Sequence, residues 1–95
     1  MHVISLKALR EFWLTHPEAE QPLRNWHTAA EHSDLESFAE MRQAFGSADY
    51  VSPYTIFDVG GNKYRLVTIV RYRERKVFIR WVMTHRHYDD WCKLH

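Results

Sequence analysis

The residues best suited to chemistry lie in the second half of the chain, where cations surround a histidine and a tyrosine. His85 and Tyr88 are three residues apart, so a helix would place them on one face, and Arg80 lies nearby in sequence. Cleavage of RNA by its own 2′-hydroxyl needs a base for the hydroxyl proton, an acid for the leaving 5′-oxygen, and cations for the charge on the phosphorane. Histidine, whose unperturbed pKa of about 6.5 is nearest to neutrality, and arginine can fill these roles without a metal. A histidine at a helix start is more often a cap or a surface residue, so the pattern alone leaves both interpretations open.

Opposite charges on the two halves of the chain support a surface that faces a polyanion. Residues 1–50 hold four Lys and Arg against eight Asp and Glu, a balance of −4. Residues 51–95 hold nine against four, a balance of +5, although the net charge of the whole chain is only +1. Such asymmetry indicates nucleic-acid contact by the basic half. An uneven solvated surface is the alternative.

Alternation along the strand predicted for residues 63–73 collects these cations. Successive strand residues point to opposite faces, so one face carries Lys63, Arg65, Arg71 and Arg73. Arg80 of the next strand is expected on a face that adjoins them. A sheet covered by helices on one side would present this row to an RNA backbone on the other. The alternative is that the arginines only keep the sheet and its edge soluble.

Neither a metal nor a cofactor is expected. His87 and His95 could join His85 at a zinc ion, but one cysteine and irregular spacing give no recognised ligand pattern. Gly60-Gly61 joins strand to strand, whereas phosphate-binding loops join strand to helix.

Three amphipathic helices are predicted in the first half of the chain. The first runs from a cap at Ser5 to about residue 14, and the second opens at Pro17, although Pro22 predicts a kink or a later start. The sequence at residues 33–36 is typical of a capping box and predicts a third helix that ends at Gly46.

The second half is predicted to form strands. β-Branched and aromatic residues and the turn residues Gly60-Gly61-Asn62 predict a hairpin and then a further reversal. The predicted elements are a loop at 47–52, strands at 54–59, 63–73 and 76–83, a fourth edge strand at 2–4, and a closing helix at 85–94 capped by Thr84.

Length and composition predict one domain, residues 1–95, in the cytoplasm. Ninety-five residues are too few for two independent cores. A mean hydropathy of −0.52 and the lack of a long apolar run argue against a membrane span. The first residues do not resemble a secretory signal, and the single Cys92 fits a reducing compartment.

Two motifs resemble the HigB family of toxins from bacterial toxin–antitoxin modules. One is FDVGGNKYRL at residues 57–66, and the other combines VFIRWV at 77–82 with THRHYD at 84–89. Residues 4–12 and 47–51 are also similar to the family, so the resemblance covers nearly the whole chain. Two positions depart from it, because Asp58 stands where Asn is expected and Met83 where Gly is frequent.

The resemblance implies an α+β fold of the RelE-like type. Amino-terminal helices would pack on a curved antiparallel sheet of about four strands, with a short carboxyl-terminal helix. It implies a metal-independent endoribonuclease that cleaves messenger RNA, often during translation on the ribosome. A helix-turn-helix antitoxin of the HigA type would neutralise it.

Motif position and the charge pattern together suggest the site residues. Arg65 is expected to stabilise the scissile phosphate, His85 to act as acid or base, and Tyr88 to assist. The residues expected to hold RNA are Asn62, Lys63, Arg71, Arg73 and Arg80. The sequence leaves two alternatives open, which are a non-enzymatic RNA- or ribosome-binding module and a toxin on the same fold that is directed at gyrase.

Overall fold

The computed structural model describes residues 1–94 and has an α+β architecture, as predicted. His95, named above with the zinc alternative, lies outside the described residues. The elements in chain order are β1 His2–Ile4, α1 Leu6–Thr15, a 3-10 turn Pro17–Ala19, α2 Glu20–Glu31, α3 Phe38–Ala44, β2 Asp49–Val51, β3 Tyr54–Val59, β4 Tyr64–Arg71, β5 Lys76–Thr84 and α4 His85–Leu94.

The strands form a mixed sheet in the order β1-β5-β4-β3-β2. The predicted meander of β3, β4 and β5 is antiparallel, as expected. Two features differ from the antiparallel sheet of about four strands. β1 runs parallel to β5, and the predicted loop at 47–52 contains β2, paired antiparallel with β3. All three residues of β2 are exposed, so it lacks the alternation that reveals a half-buried strand.

The main core fills the space between the sheet and the three amino-terminal helices. Leu9, Leu23 and Met41 of the helices are almost fully buried against Phe57 and Leu66 of the sheet. Burial of each such side chain stabilises the fold by roughly 1.5–3 kcal/mol.

The opposite face of the sheet is partly covered by α4. Ile56, Val67 and Met83 are buried there beneath Tyr88 and Trp91. The expectation of a solvent-facing row of cations is therefore wrong for this part of the sheet, because the closing helix folds back over the start of β4 and the end of β5.

A bulge breaks the alternation expected in β5. Val67 pairs with Trp81 and the next residue, Thr68, pairs with Ile79, so Arg80 is the extra residue. Trp81 consequently lies on the α4 face with Val67, whereas Ile79 packs in the main core. Sequence alternation could not reveal this, because a bulge shifts the phase by one residue.

Two helix starts differ from the predictions. The 3-10 turn precedes α2, so Pro22 falls in its first turn, where its missing N–H has no intrahelical partner to lose. α3 begins after Ser37, whose hydroxyl accepts from the Glu40 amide at 3.2 Å. The predicted cap, Ser33, instead donates to the Ala29 carbonyl at 2.7 Å, at the end of α2.

The hairpin turn and the closing helix follow the predictions. Gly60 and Gly61 have φ of +69° and +73°, the left-handed region that favours glycine. Thr84 caps α4, since its hydroxyl accepts from the His87 amide at 3.1 Å. None of the helices in residues 1–94 is long and apolar enough to cross a bilayer.

Candidate active site

Arg65 lies at the centre of a polar cluster where β4 begins. Its side chain is only 9% exposed, and it pairs across the sheet with Asp58 of β3. Nε of Arg65 donates to Oδ1 of Asp58 at 3.0 Å. The carboxylate compensates a buried charge that would otherwise be costly to hold away from water.

The remaining donors of Arg65 are also occupied. Nη2 lies 2.7 Å from Oδ1 of Asn62 and 2.7 Å from Nδ1 of His85. Nη1 donates to the carbonyls of Tyr64 at 3.2 Å and Asn62 at 3.4 Å. A guanidinium has five N–H groups, and each of them has an acceptor here, so Arg65 links the 60–62 turn to the start of α4.

His85 is fixed at the junction of β5 and α4. Its amide donates to the Lys63 carbonyl at 2.8 Å, which ties the junction to the hairpin turn. Nδ1 faces Nη2 of Arg65, and Nε2 lies 3.1 Å from Oδ2 of Asp89. Because a guanidinium only donates, Nδ1 must accept, and the ring proton sits on Nε2 and is donated to Asp89.

Tyr88 forms a wall beside Arg65. Cζ of Arg65 lies 5.7 Å from the centre of its ring, and the ring stacks on Trp91 at 5.7 Å. Burial, followed by a hydrogen bond with the Cys92 thiol, raises the pKa of Tyr88 above the ordinary tyrosine value. The phenol therefore stays protonated at neutral pH and can donate a hydrogen bond.

A cleft of about 390 Å³ opens beside this cluster. Its lining consists of the loop between α3 and β2, together with side chains of α3, the sheet and α4. The lining residues are Arg42, Gly46, Ser47, Ala48, Asp49, Ile56, Asp58, Arg65 and Tyr88. A substrate entering the cleft would meet the exposed side of Arg65 and Tyr88.

The structure divides the residues predicted for the site into two groups. Asn62, Arg65, His85 and Tyr88 lie together. Lys63 contributes its carbonyl to the cluster, while its exposed ammonium lies 3.7 Å from the carboxylate of Glu18.

Three predicted cations lie away from this cluster. Arg71 is six residues beyond Arg65, about 20 Å along β4, and Arg73 lies in the following turn. Arg80 is the bulge residue of β5.

Asp58 and Asp89 also belong to the cluster, although neither was predicted from the sequence as a site residue. Asp58 was noted only as a departure from the family pattern. The hairpin around Gly60-Gly61 carried the signal, because its register sets Asp58 directly opposite Arg65. Asp89 follows His85 by four residues, a spacing that brings side chains together on a helix. Among residues 1–94, no group of three or more His, Cys, Asp or Glu side chains is placed to hold a metal ion.

Comparison with known proteins gives consistent matches. Residues 19–91 match a family described as HigB_toxin, the RelE-like toxic component of a toxin-antitoxin system. The whole chain is 31% identical to the mRNA interferase toxin HigB of Escherichia coli strain K12 and to the mRNA interferase HigB of Shigella flexneri, and covers 94% of each. It is 27% identical over 92 residues to the mRNA interferase HigB of Escherichia coli O6:H1 strain CFT073. That alignment covers 94% of this chain and 89% of the relative. All these matches span the segments that carry Arg65 and His85.

Proposed function

This chain belongs to the HigB family of RelE-like toxins, and we propose that this messenger-RNA-cleaving endoribonuclease breaks the phosphodiester with His85 as the proton-transfer group. Arg65 would hold first the imidazole and then the phosphate. The contact of 2.7 Å between Nη2 of Arg65 and Nδ1 of His85 is the observation that carries this proposal. As the toxic component of a toxin–antitoxin system, the protein has an antitoxin as its partner.

The free protein holds the imidazole in a resting state. A general base needs an unoccupied lone pair, but the lone pair on Nδ1 accepts from Arg65 and Nε2 carries the proton shared with Asp89. Arg65 must therefore withdraw Nη2 before His85 can act. A phosphate oxygen is a stronger acceptor for a guanidinium than a neutral imidazole. Binding of the scissile phosphate would thus free Nδ1 and hold the reacting group beside it.

The reaction then follows from these positions. Nδ1 of His85 takes the 2′-hydroxyl proton while the 2′-oxygen bonds to phosphorus and the bond from phosphorus to the 5′-oxygen breaks. Asp89 stabilises the imidazolium through Nε2–H, in the way that a carboxylate supports a catalytic histidine. Tyr88 gives its proton to the 5′-oxygen and regains one from solvent, to which the imidazolium loses its own. The products carry a 2′,3′-cyclic phosphate and a 5′-hydroxyl.

The experiment that tests this mechanism uses a synthetic RNA built around a cleavage site mapped by primer extension. The purified protein should cut it to a cyclic phosphate and a 5′-hydroxyl, with unchanged rate in excess EDTA. A single 2′-deoxy substitution at the scissile nucleotide should abolish the cut. Cleavage of the deoxy substrate, or a 5′-phosphate product, would rule out attack by the 2′-hydroxyl.

Cleavage is favoured over the two alternative functions. The relatives carry the name mRNA interferase, which supports neither a purely RNA-binding module nor a gyrase-directed toxin. Transcript mapping after induction separates all three, because only an interferase creates new RNA ends and only a gyrase poison causes DNA damage.

The proposal extends to the partner of the protein and to the place where it acts in the cell. We infer that the antitoxin is a HigA-type helix-turn-helix protein, that cutting takes place on translating ribosomes in the cytoplasm, and that residues 1–95 act as one toxin domain. Cleavage sites that follow the reading frame in cells, and weaken when translation initiation is blocked, would support ribosome dependence. Sites that ignore the frame would contradict it.

A further inference from the structure

An open hollow lies on the α4 face of the sheet, beyond the part that α4 covers. Its lining residues are Ile69, Arg71, Phe78 and Arg80, and its volume is about 160 Å³. We call it the β4–β5 hollow. Trp81 follows the lining residue Arg80 in the chain and is 39% exposed.

The bulge in β5 creates this hollow. Without the extra residue, Arg80 and Trp81 would point to opposite faces. The register shift instead leaves Trp81 among the aromatic residues on the α4 face, where its ring centre lies 5.6 Å from that of Tyr54 and 5.9 Å from that of Trp91. It also places Arg80 beside Ile69 on the same face of the sheet. A guanidinium and an exposed indole therefore adjoin each other, with Cζ of Arg80 5.6 Å from the Trp81 ring.

The charges of the hollow are not balanced within the protein. Across residues 1–94, neither Arg71 nor Arg80 has a carboxylate within ion-pair distance, whereas Arg65 and Arg75 both do. The floor between the two arginines is apolar, formed by Ile69 and Phe78. Two uncompensated guanidinium groups around an apolar floor, beside an exposed indole, suit a ligand that has both a planar apolar face and negative charge.

The hollow also lies in line with the candidate active site. Arg65, Ile69 and Arg71 project from the same face of β4, and Ile69 is four residues beyond Arg65, about 13 Å along the strand. A single-stranded RNA whose scissile phosphate reaches Arg65 can therefore extend across Trp81 into the hollow.

We propose that the β4–β5 hollow is a subsite for an unpaired nucleotide of the RNA substrate, a few positions from the scissile phosphate. Its base would stack on Trp81, and its phosphate would bind Arg71 and Arg80. Stacking on aromatic rings and contact with arginine are how proteins hold unpaired nucleotides. This inference rests on the proposed function, because it concerns the substrate of the same site.

The test compares two non-cleavable RNAs, a trinucleotide and an octanucleotide centred on a mapped cleavage site, both fully 2′-O-methylated. Affinity is measured by fluorescence anisotropy for the wild type, Trp81→Leu, and the double variant Arg71→Gln with Arg80→Gln. Arg10→Gln is the matched control, since Arg10 is an exposed cation on α1. Circular dichroism verifies that each variant is folded. If Trp81→Leu does not fold, the double variant still tests the hollow, because Arg71 and Arg80 are both exposed.

The wild type should bind the octanucleotide more tightly than the trinucleotide. Trp81→Leu should weaken octanucleotide binding roughly tenfold, the effect of one lost stacking contact, and the double variant should weaken it more, with a smaller dependence on salt. Arg10→Gln should bind like the wild type.

Unchanged octanucleotide affinity in both hollow variants would overturn the subsite. So would unchanged RNA affinity combined with weaker antitoxin binding, which would assign the hollow to the protein partner. Failure of the proposed function gives a different result, because the wild type would then leave a cleavable version of the octanucleotide intact.

Discussion

Nη2 of Arg65 and Nδ1 of His85 are separated by twenty residues in the chain and lie 2.7 Å apart. The register of two antiparallel strands brings them together. Tyr64 pairs with Thr84, and Arg65 and His85, which are the next residues after each of these, lie diagonally across that pair. Because of this contact, the lone pair on Nδ1 of His85 is occupied or free according to the position of the Arg65 guanidinium. In the proposed mechanism, this contact couples binding of the phosphate to activation of His85 as a base.

Replacement of His85 by Ala should lower the cleavage rate at least a hundredfold, the usual contribution of a general acid or base. The measurement is the single-turnover rate on a synthetic RNA. His87→Ala is the control, because His87 is exposed on the same helix. Similar rates for both variants would remove His85 from the mechanism.

Asp89→Asn should reduce kcat about tenfold or more with little change in KM, because the amide cannot stabilise an imidazolium as a carboxylate does. Nitrogen NMR of His85 provides a second readout, since the tautomer with the proton on Nε2 should become less populated. Asp90→Asn serves as the control, because Asp90 pairs with Lys93 on the exposed side of α4. Equal kcat values in the two variants would contradict the role of Asp89.

Asp58→Ala should lower the free energy of unfolding by about 1–3 kcal/mol, because it leaves the buried Nε of Arg65 without an acceptor. Urea denaturation measures the change. Asp34→Ala provides the comparison, since Asp34 also pairs with an arginine but is 79% exposed, and surface pairs contribute at most about 1 kcal/mol. A loss as small as that in Asp34→Ala would show that Asp58 does not compensate Arg65.

Ser37→Ala should destabilise the protein by about 1 kcal/mol, the usual effect of removing a helix N-cap. Ser33→Ala should cost less, because its hydroxyl donates to one carbonyl at the end of α2 and caps no helix start. Thermal unfolding of the two variants compares them directly. The reverse order would restore the helix start predicted from the sequence.

Alkaline pH should destabilise the wild type through Tyr88. Burial raises the pKa of this phenol in the folded state, so the stability it contributes is complete below the unfolded value of about 10. That stability is lost as the pH rises from the pKa of the unfolded state through the raised pKa of the folded state. The free energy of unfolding should therefore fall more steeply above about pH 10 in the wild type than in Tyr88→Phe.

Urea denaturation at a series of pH values measures the effect. Tyr50→Phe controls for the loss of an exposed phenol. Equal slopes in the wild type and Tyr88→Phe would show that burial does not hold this proton.

Much of the fold could be predicted because it depends on neighbours in the chain. The apolar spacing of α1 and α2, the glycines of the hairpin turn and the Thr84 cap all act within a few residues. The α+β class follows from such local signals. Local signals fail where two nearby residues could each cap a helix and packing selects one of them, as it selects Ser37 over Ser33. They also fail where a strand such as β2 has no buried face.

The candidate site divides in the same way. Residue types that can move a proton or hold a phosphate are evident in the sequence, and the motifs indicated Arg65, His85 and Tyr88 among them. The folded protein was needed to show that Asp58 and Asp89 join them and that every donor of Arg65 is already occupied. It also shows that Arg80, which lies beside Trp81, lines a separate hollow. The reason is that strand register and one bulge set these contacts, and both arise from long-range pairing that no local pattern encodes.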